Sequence, residues 1–404
     1  MTRLALGQAE CQTAVVRIET FEQLLTPDGQ RLLDEITQRA GIETDLALGT
    51  RLRRTYDSEL VAAAVTQAHL RGKARAKFGD DAARMYFTHD ALEQATRSSV
   101  ARHRALRLVG NGVRGVQDLG CGIGGDLVAL ARAGLEADGV ELDEVRARIA
   151  AANLAALGLR GSVRVGDATT TELAGRTAFI DPARRDGGGR LFDPRACVPD
   201  WDFVASLLEG SAVAKTMPGI GHDLIPAGVE GEWVSDGGDL VEACLWGAPL
   251  ATARRRATLL PSGATVTDAD DPGDVTTRAP GRFLYEPDDA VIRAGLVTAV
   301  CAQVGGWLVD SHLAYVSGDA HVETPFARAF EVLEELPYRE KQMKAALRTH
   351  DVGTLTIKKR GVQVVPEQLV RRLGLKGSRT ATVVMTRVGG AGRAYLVEPM
   401  VKTG

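Results

Sequence analysis

The spacing of apolar residues divides the first two thirds of the chain into two regions. Residues 20–107 place apolar side chains at helical intervals and are predicted to be helical. Residues 115–260 alternate short apolar runs with amphipathic stretches, a pattern typical of β-α units that build a parallel sheet. The pattern therefore predicts an N-terminal helical region over 1–107 and an α/β domain over 108–262.

Seven short apolar runs in the α/β domain are predicted strands. The last two flank Gly247, Ala248 and Pro249, and this arrangement predicts a hairpin that closes the edge of the sheet. The predicted fold is a doubly wound, Rossmann-like sheet of seven strands. The strands are predicted at 116–119, 137–141, 163–165, 178–181, 211–215, 240–246 and 251–260.

Two further regions follow the α/β domain. Residues 263–325 are predicted to connect the domains, and within them 266–289 is rich in Asp, Pro, Gly and Thr, which predicts a linker or exposed loop. Residues 326–404 mix short strands with helix and are predicted to form a small α+β domain. Helices are predicted at 290–304, 326–336 and 366–373.

Composition excludes several classes of protein. A chain of 404 residues with 45% hydrophobic and 25% charged residues is ordinary for a soluble protein of more than one domain. No run of about 18 apolar residues and no secretory leader is apparent, so no membrane span and a cytoplasmic location are expected. The five cysteines are far apart and the histidines lack metal-ligand spacing, which argues against disulfides and a metal site. The oligomeric state is not indicated.

A glycine-rich turn follows the first predicted strand. Glycines stand at Gly120, Gly122, Gly124 and Gly125, and a helix is predicted to begin immediately afterwards. Glycine lets the backbone turn sharply and approach a ligand in front of the helix N-terminus. The Gly-x-Gly-x-Gly spacing differs from that of dinucleotide binders, although Gly125 keeps their register. Asp118 ends the strand, where its carboxylate can meet an ammonium group.

Acidic residues also end the next two predicted strands. Glu141 lies about 20 residues beyond the glycine turn, where a carboxylate can accept hydrogen bonds from ribose hydroxyls. Asp167, followed by Ala168, closes the third strand, where an adenine amine would need an acceptor. Asp143 is interpreted as the cap of the following helix.

Together these stretches resemble motifs I to III of class I S-adenosylmethionine-dependent methyltransferases. The resemblance implies that the glycines of the turn hold the methionine moiety, that Glu141 binds the ribose and that Asp167 and Ala168 lie at the adenine. The segments 92–96 and 101–105 resemble the helical lead-in of bacterial methyltransferases with a THUMP-like domain, and Gln94 is placed near the methionine end by position. The alternative interpretation is a nucleotide-binding oxidoreductase or a degenerate Rossmann domain.

The fourth predicted strand ends in Asp181 and Pro182, with Arg184 two residues further on. Ligands of open α/β sheets bind at the carboxyl ends of strands, so Asp181 is predicted to accept a hydrogen bond from a substrate amine and orient it for attack. Pro182 would stiffen the turn. Arg184 and Arg185 can bind a phosphate or carboxylate, or can equally pair with nearby aspartates.

This segment resembles the Asp-Pro-Pro-Tyr and Asp-Pro-Pro-Arg motifs of nucleic-acid methyltransferases, with Ala183 in place of the second proline. Uracil-5 enzymes of that group need a nucleophilic cysteine after the fifth strand, and residues 214–219 contain none. Covalent C5 chemistry is therefore disfavoured. Cys121 and Cys244 are interpreted as packing residues, and His222 has no visible partner.

Basic residues are concentrated near the C-terminus. Residues 339–393 contain thirteen Lys or Arg and three Asp or Glu, within a chain of net charge −3. Such a segment attracts phosphate backbones, although a solvated charged surface is the alternative. Residues 351–362 and 382–388 resemble a THUMP-like domain. The residues predicted to bind nucleic acid are Lys341, Lys344, Lys358, Lys359 and Arg360.

The combined prediction is an S-adenosylmethionine-dependent methyltransferase that acts on a base nitrogen in RNA, either tRNA or rRNA. A small-molecule or protein methyltransferase, whose basic domain only docks a partner, remains an alternative. A non-catalytic RNA-binding protein is the third possibility, which the intact acidic motif positions disfavour.

Overall fold

The computed structural model describes residues 17–39, 41–184 and 197–400. The chain divides into two compact units. The first comprises Met1–Thr216 and Trp246–Leu250, and the second comprises Met217–Leu245 and Ala251–Gly404. Within the described residues, none of the helices combines the length and apolar character needed to cross a membrane.

The first unit begins with the predicted helical region, which the structure confirms. The helix α4 shows why the chain folds in this way, because Asp57 precedes it and accepts hydrogen bonds from the amides of Glu59 and Leu60. The helices are α1 (Ile18–Leu25), α2 (Pro27–Arg39), α3 (Asp45–Leu52), α4 (Ser58–Phe78), α5 (His89–Gln94) and α6 (Ser98–Gly110).

A parallel sheet forms the rest of the first unit. Its described strands have the order β7-β4-β1-β2-β3, so the strand order reverses between β1 and β4. In open α/β sheets this reversal creates a ligand-binding crevice at the carboxyl ends of the strands. The elements are β1 (Gly115–Leu119), α7 (Gly125–Arg132), β2 (Glu136–Glu141), α8 (Glu144–Ala156), β3 (Ser162–Val165), β4 (Thr177–Ile180), β5 (Ala183–Arg184), β6 (Cys197–Val198), α9 (Trp201–Leu208) and β7 (Ala212–Thr216).

The second unit starts with four strands, β8 (Glu230–Asp236), β9 (Asp239–Trp246, whose last residue belongs to the first unit), β10 (Arg255–Leu260) and β11 (Ala264–Thr267). The predicted hairpin between 240–246 and 251–260 is wrong. The strand β9 lies next to β8, and β10 pairs in parallel with β8. The turn between β8 and β9 is made by Gly237 and Gly238, whose φ angles of 65° and 89° suit a tight hairpin.

A seven-stranded sheet completes the second unit, with the order β13-β14-β12-β15-β18-β17-β16. Buried apolar residues under α12 and α13 form the main core on one face of this sheet. The elements are β12 (Phe283–Pro287), α10 (Asp289–Ala294), α11 (Val297–Val304), β13 (Trp307–Asp310), β14 (Leu313–Gly318), β15 (Ala327–Leu336), α12 (Glu340–Thr349), β16 (Val352–Arg360), α13 (Pro366–Leu373), β17 (Arg379–Val388) and β18 (Ala391–Pro399).

Two predictions for this region are corrected. The segment predicted as a helix at 326–336 is the strand β15, because antiparallel pairing with β12 and β18 on both sides outweighs the helical preference of its Glu and Leu residues. The segment 266–289, predicted as a linker, contains the end of β11 and all of β12.

Candidate active site

The glycine turn between β1 and α7 has the geometry that only glycine adopts readily. The φ angles of Gly120, Gly122 and Gly124 are 87°, 56° and 81°. A Cβ atom on Gly120 or Gly122 would meet nothing within 4 Å, whereas one on Gly124 would lie 3.1 Å from the Cβ of Ala150. The turn therefore packs against α8 at its end and leaves open space over its first two glycines.

Asp118 lies beneath this turn with its side chain buried, since the residue is only 2% exposed. Its Oδ2 atom has no hydrogen-bond partner among the described residues. Burial raises the pKa of Asp118 well above its ordinary value, the carboxylates of Asp126, Asp181 and Glu141 raise it further, and Arg104 opposes them. This part of the crevice is acidic and can stabilise a bound cation.

Glu141 ends β2 and contacts the glycine turn directly. Its Oε2 atom accepts a hydrogen bond of 2.8 Å from the amide of Gly122, and Oε1 accepts one of 3.0 Å from the amide of Asp143. Asp143 in turn caps α8 by accepting a hydrogen bond of 2.8 Å from the amide of Arg146, as predicted. Each oxygen of Glu141 retains a lone pair for a further donor.

Asp167 follows β3 at the same edge of the sheet and is exposed. It accepts hydrogen bonds from the amide and hydroxyl of Thr169, at 2.8 and 2.7 Å, and these bonds lower its pKa. Ala168 begins the short 3-10 helix Ala168–Thr170. The carboxylate is therefore held in a fixed position on the outer side of the crevice.

Asp181 and Lys215 form an ion pair at the carboxyl ends of the adjacent parallel strands β4 and β7. The Nζ atom of Lys215 lies 2.5 Å from Oδ2 of Asp181, and the two side chains are 16% and 38% exposed. Pro182, which follows, is half-buried. Lys215 was not among the predicted site residues, although its position at the end of the fifth strand is the signal that could have identified it.

Arg184 lies in β5, which pairs antiparallel with Cys197 and Val198 of β6. Residues 185–196, which include Arg185 and the aspartates proposed to pair with it, lie outside the described residues.

The helical region also contributes to the site. Arg104 of α6 pairs with Asp126, at the start of α7, and its guanidinium carbon lies 4.8 Å from the ring centroid of Phe179 in β4. The hydroxyl of Thr96 donates to the same Asp126 carboxylate at 3.3 Å. Gln94 ends α5 with an exposed side chain. The sequence patterns identified neither Arg104 nor Asp126, because no motif links α6 to the helix after the turn.

Lys77 holds the segment that joins α5 to α6. Its Nζ atom donates to the carbonyl oxygens of Leu92, Glu93 and Ala95 at 2.9, 2.6 and 2.8 Å. Burial lowers the pKa of Lys77, and the nearby charge of Lys215 lowers it further. The segment is therefore fixed close to the Asp181–Lys215 pair.

The remaining predicted residues lie away from this crevice or in its walls. Cys121 is buried, and burial raises the pKa of its thiol, which is consistent with a packing role. His222 belongs to the second unit, where its Nε2 lies 2.7 Å from the carbonyl oxygen of Arg293.

Among the described residues, no group of three or more His, Cys, Asp or Glu side chains is arranged to hold a metal ion. The five predicted nucleic-acid-binding residues lie in the second unit, on α12 and β16.

Two family models match parts of the chain. Residues 327–399 match the family described as THUMP domain-like. Residues 17–74 match a domain of unknown function, DUF8688.

Two relatives come from strains of Mycobacterium tuberculosis, and both are described as uncharacterized S-adenosylmethionine-dependent methyltransferases. Each is 40% identical to this chain over 338 residues, which cover 81% of this chain and 93% of the relative. The crystal structure of a candidate methyltransferase from Porphyromonas gingivalis W83 superposes with a TM-score of 0.74, covering 92% of this chain and 99% of the other at 21% identity. The fold is thus shared with that structure, and the chain belongs to the family of S-adenosylmethionine-dependent methyltransferases.

Proposed function

We propose that this methyltransferase modifies a base nitrogen in RNA, with tRNA or rRNA as the substrate. The observation that carries the proposal is the excess of thirteen basic over three acidic residues in 339–393, within the region that matches the THUMP domain-like family. A concentrated positive field attracts a phosphate backbone through release of its counterions.

The crevice of the first unit fits S-adenosylmethionine. The cofactor supplies a methyl group on a positively charged sulfonium. The buried Asp118 carboxylate, whose Oδ2 has no hydrogen-bond partner among the described residues, is placed to accept from the ammonium of the methionine moiety. The open face over Gly120 and Gly122 leaves room for that moiety, and Gly124 positions the helix behind it.

The outer part of the crevice would hold the nucleoside. We assign Glu141 to the ribose hydroxyls, since its two oxygens are already fixed by backbone amides and keep lone pairs for further donors. We assign Asp167 and Ala168 to the adenine, at the end of β3. Gln94, at the end of α5, is assigned to the methionine end because the segment after it contacts Asp126.

Asp181 is the proposed contact for the methyl acceptor. Lys215 engages its Oδ2 atom, so Oδ1 is the oxygen placed to accept an N–H from the substrate base. That hydrogen bond would orient the nitrogen lone pair for in-line attack on the methyl group. Pro182 fixes the turn that presents Asp181, and Arg184 is proposed to contact an anionic group of the substrate. No cysteine lies in 214–219 to support covalent attack on uracil C5.

The proposal is tested by following the methyl group. The purified protein is incubated with S-adenosylmethionine that carries a labelled methyl group and, separately, with RNA, protein and small-molecule fractions from a strain that lacks the gene. Label should enter RNA, and mass spectrometry of its nucleosides should identify an N-methylated base that is absent from RNA of the deletion strain. Label confined to the protein or small-molecule fraction would refute an RNA substrate, and a 5-methyluracil product would refute the acceptor atom.

A further inference from the structure

The structure separates the predicted nucleic-acid-binding residues onto two faces of the seven-stranded sheet. Along β16, Leu355 and Ile357 are buried in the core under α12 and α13. Side chains alternate along a strand, so Lys358 and Arg360 point to the opposite face, whereas Lys359 points to the helical side. Lys341 and Lys344 belong to α12 itself.

The cations on the face opposite the helices are already neutralised. The Nζ atom of Lys358 lies 2.5 Å from Oε2 of Glu286 in β12, although three strands separate β16 from β12 in the sheet order. The sheet therefore curls until its two parts meet across this face. Arg360 lies 3.9 Å from a carboxylate oxygen of Asp289. The basic run at 358–360 consequently supplies much less net charge than its sequence indicates.

The helical face is different. The helices α12 and α13 turn Met343, Leu347, Leu369 and Leu373 into the core. Five basic residues of these helices and of the loop after α13 have no acidic partner within 4 Å among the described residues of the chain. They are Lys341, Lys344, Arg348, Arg371 and Lys376, and we call them the basic helical face.

The two helices hold these cations on a common surface. Arg372 of α13 pairs with Glu340, at the start of α12, at 3.0 Å. The Nζ atom of Lys344 lies 3.7 Å from the position that a Cβ on Gly374 would take, beside the end of α13. Four of the five cations of the basic helical face therefore lie on two neighbouring helices, and Lys376 follows the end of the second.

We propose that the phosphate backbone of the RNA docks on the basic helical face, and that Lys358 and Arg360 stabilise the curled sheet instead of binding RNA. This inference rests on the proposed RNA substrate and names the surface that binds it. Charge complementarity favours a polyanion here, because Lys341, Arg348, Arg371 and Lys376 are exposed and Lys344 is half-buried. None of the five has an acidic partner in the described part of the chain, so each can displace counterions from a phosphate.

Three variants of the full chain test the proposal, each assayed for binding to bulk tRNA at several salt concentrations. The first replaces Lys341, Lys344, Arg371 and Lys376 with Gln. A matched control removes the same charge elsewhere in the second unit, by replacing the exposed Arg254, Arg278, Arg293 and Arg328 with Gln. The third is the double variant Lys358→Gln and Arg360→Gln.

The slope of log K against log salt concentration should become shallower in the first variant. The expected change is about 0.7 to 0.9 for each phosphate contact removed, or about three for four contacts. The affinity of this variant should fall at least about tenfold, since each lost contact also loses its counterion release. The matched control should retain the wild-type slope, and the double variant should retain most of it while its melting temperature falls.

The outcomes separate this inference from the proposed function. Wild-type protein that binds tRNA without salt dependence, or not at all, would refute the RNA substrate. Wild-type protein that binds tRNA with a steep slope, together with a first variant that matches the control, would refute the docking surface and leave the RNA substrate standing. Loss of the salt dependence only in the Lys358 and Arg360 double variant would show that RNA binds the face of the sheet opposite α12 and α13. Binding to anionic vesicles but not to tRNA would assign the basic helical face to a membrane surface.

Discussion

Lys215 and Asp181 lie at the ends of adjacent parallel strands, with Nζ and Oδ2 2.5 Å apart. The pair engages the Oδ2 oxygen of the carboxylate. We propose that Oδ1 of Asp181 contacts the methyl acceptor while Lys215 holds Oδ2. This arrangement also predicts that Asp181 and Lys215 act as a unit.

Asp181→Ala should abolish most methyl transfer, with a fall in kcat of orders of magnitude, while the affinity for S-adenosylmethionine stays near the wild-type value. Lys215→Gln should produce a smaller loss of kcat, which Lys215→Arg should partly restore. Single-turnover assays on the RNA substrate, alongside calorimetry of cofactor binding, separate the two quantities. Wild-type turnover in Asp181→Ala would exclude a role in the reaction.

The affinity for the cofactor should depend on pH through Asp118. Its pKa is raised by burial and by the carboxylates of Asp126, Asp181 and Glu141, against the effect of Arg104. An acid with a raised folded-state pKa binds more protons when folded, so its contribution to stability declines as the pH rises through that raised pKa. An ammonium group favours the ionised carboxylate, so affinity should increase with pH until the cofactor amine itself titrates, near about pH 7.7.

Calorimetry in buffers of different ionisation enthalpy checks this linkage, because cofactor binding below the raised pKa should release a proton. Asp118→Asn should bind more weakly and should lose both the proton release and the rise with pH. Equal pH dependence in wild type and Asp118→Asn would assign the titration to another group.

Gly120 and Gly134 offer a matched pair of substitutions. Both have positive φ angles, 87° and 89°, and a Cβ on either would meet nothing within 4 Å. Alanine at either position should therefore destabilise the folded protein by a similar amount, about 1–2 kcal/mol, through backbone strain. Only Gly120→Ala should block cofactor binding, because its methyl group would enter the space assigned to the methionine moiety. Thermal melts and calorimetry on both variants make the comparison, and equal cofactor affinity would place the cofactor elsewhere.

Glu141→Ala should weaken cofactor binding by about 1–3 kcal/mol through lost hydrogen bonds to the ribose. It should also lower the melting temperature, since the amides of Gly122 and Asp143 lose their acceptor. Glu144→Ala, at an exposed position of α8 three residues away, is the control. Calorimetry that finds no difference between the two variants would contradict the assignment.

Arg104→Ala should destabilise the first unit by about 3–5 kcal/mol, because it removes the cation from a mostly buried ion pair and leaves the Asp126 carboxylate, among the described residues, with only the hydroxyl of Thr96. Chemical denaturation measures the loss. Adding Asp126→Leu to an Arg104→Met variant should recover part of it, since both charges are then removed. A single variant as stable as the wild type would show that the pair is not structural.

Local signals in the sequence predicted the fold of the first unit and the position of its glycine turn. The glycine turn, Asp143 as a helix cap and the acidic strand ends depend on residues close together in the chain, so their geometry follows from short-range rules. The cofactor roles of Glu141, Asp167 and Gln94 remain predictions, because each rests on the resemblance and on position.

Features that depend on distant contacts were not predictable in the same way. The strand β15 reads as a helix because only its neighbours in the sheet impose an extended conformation. The neutralisation of Lys358 requires Glu286, 72 residues away along the chain, and a curled sheet that brings them together. Arg104 became part of the site only through the packing of α6 on α7, which no pattern in 98–110 records.

The first unit is built from two separate stretches of the chain, since the segment Trp246–Leu250 packs with the residues that end at Thr216. Within that unit the guanidinium carbon of Arg107 lies 3.9 Å from the ring centroid of Trp246, and the side-chain amide of Asn111 donates to the carbonyl oxygen of Leu250. During synthesis, this unit therefore cannot complete its core when residue 216 emerges, and must wait about 2–7 s for the returning segment at ordinary elongation rates. A protein shortened after residue 216 would lack this segment and could not complete that core.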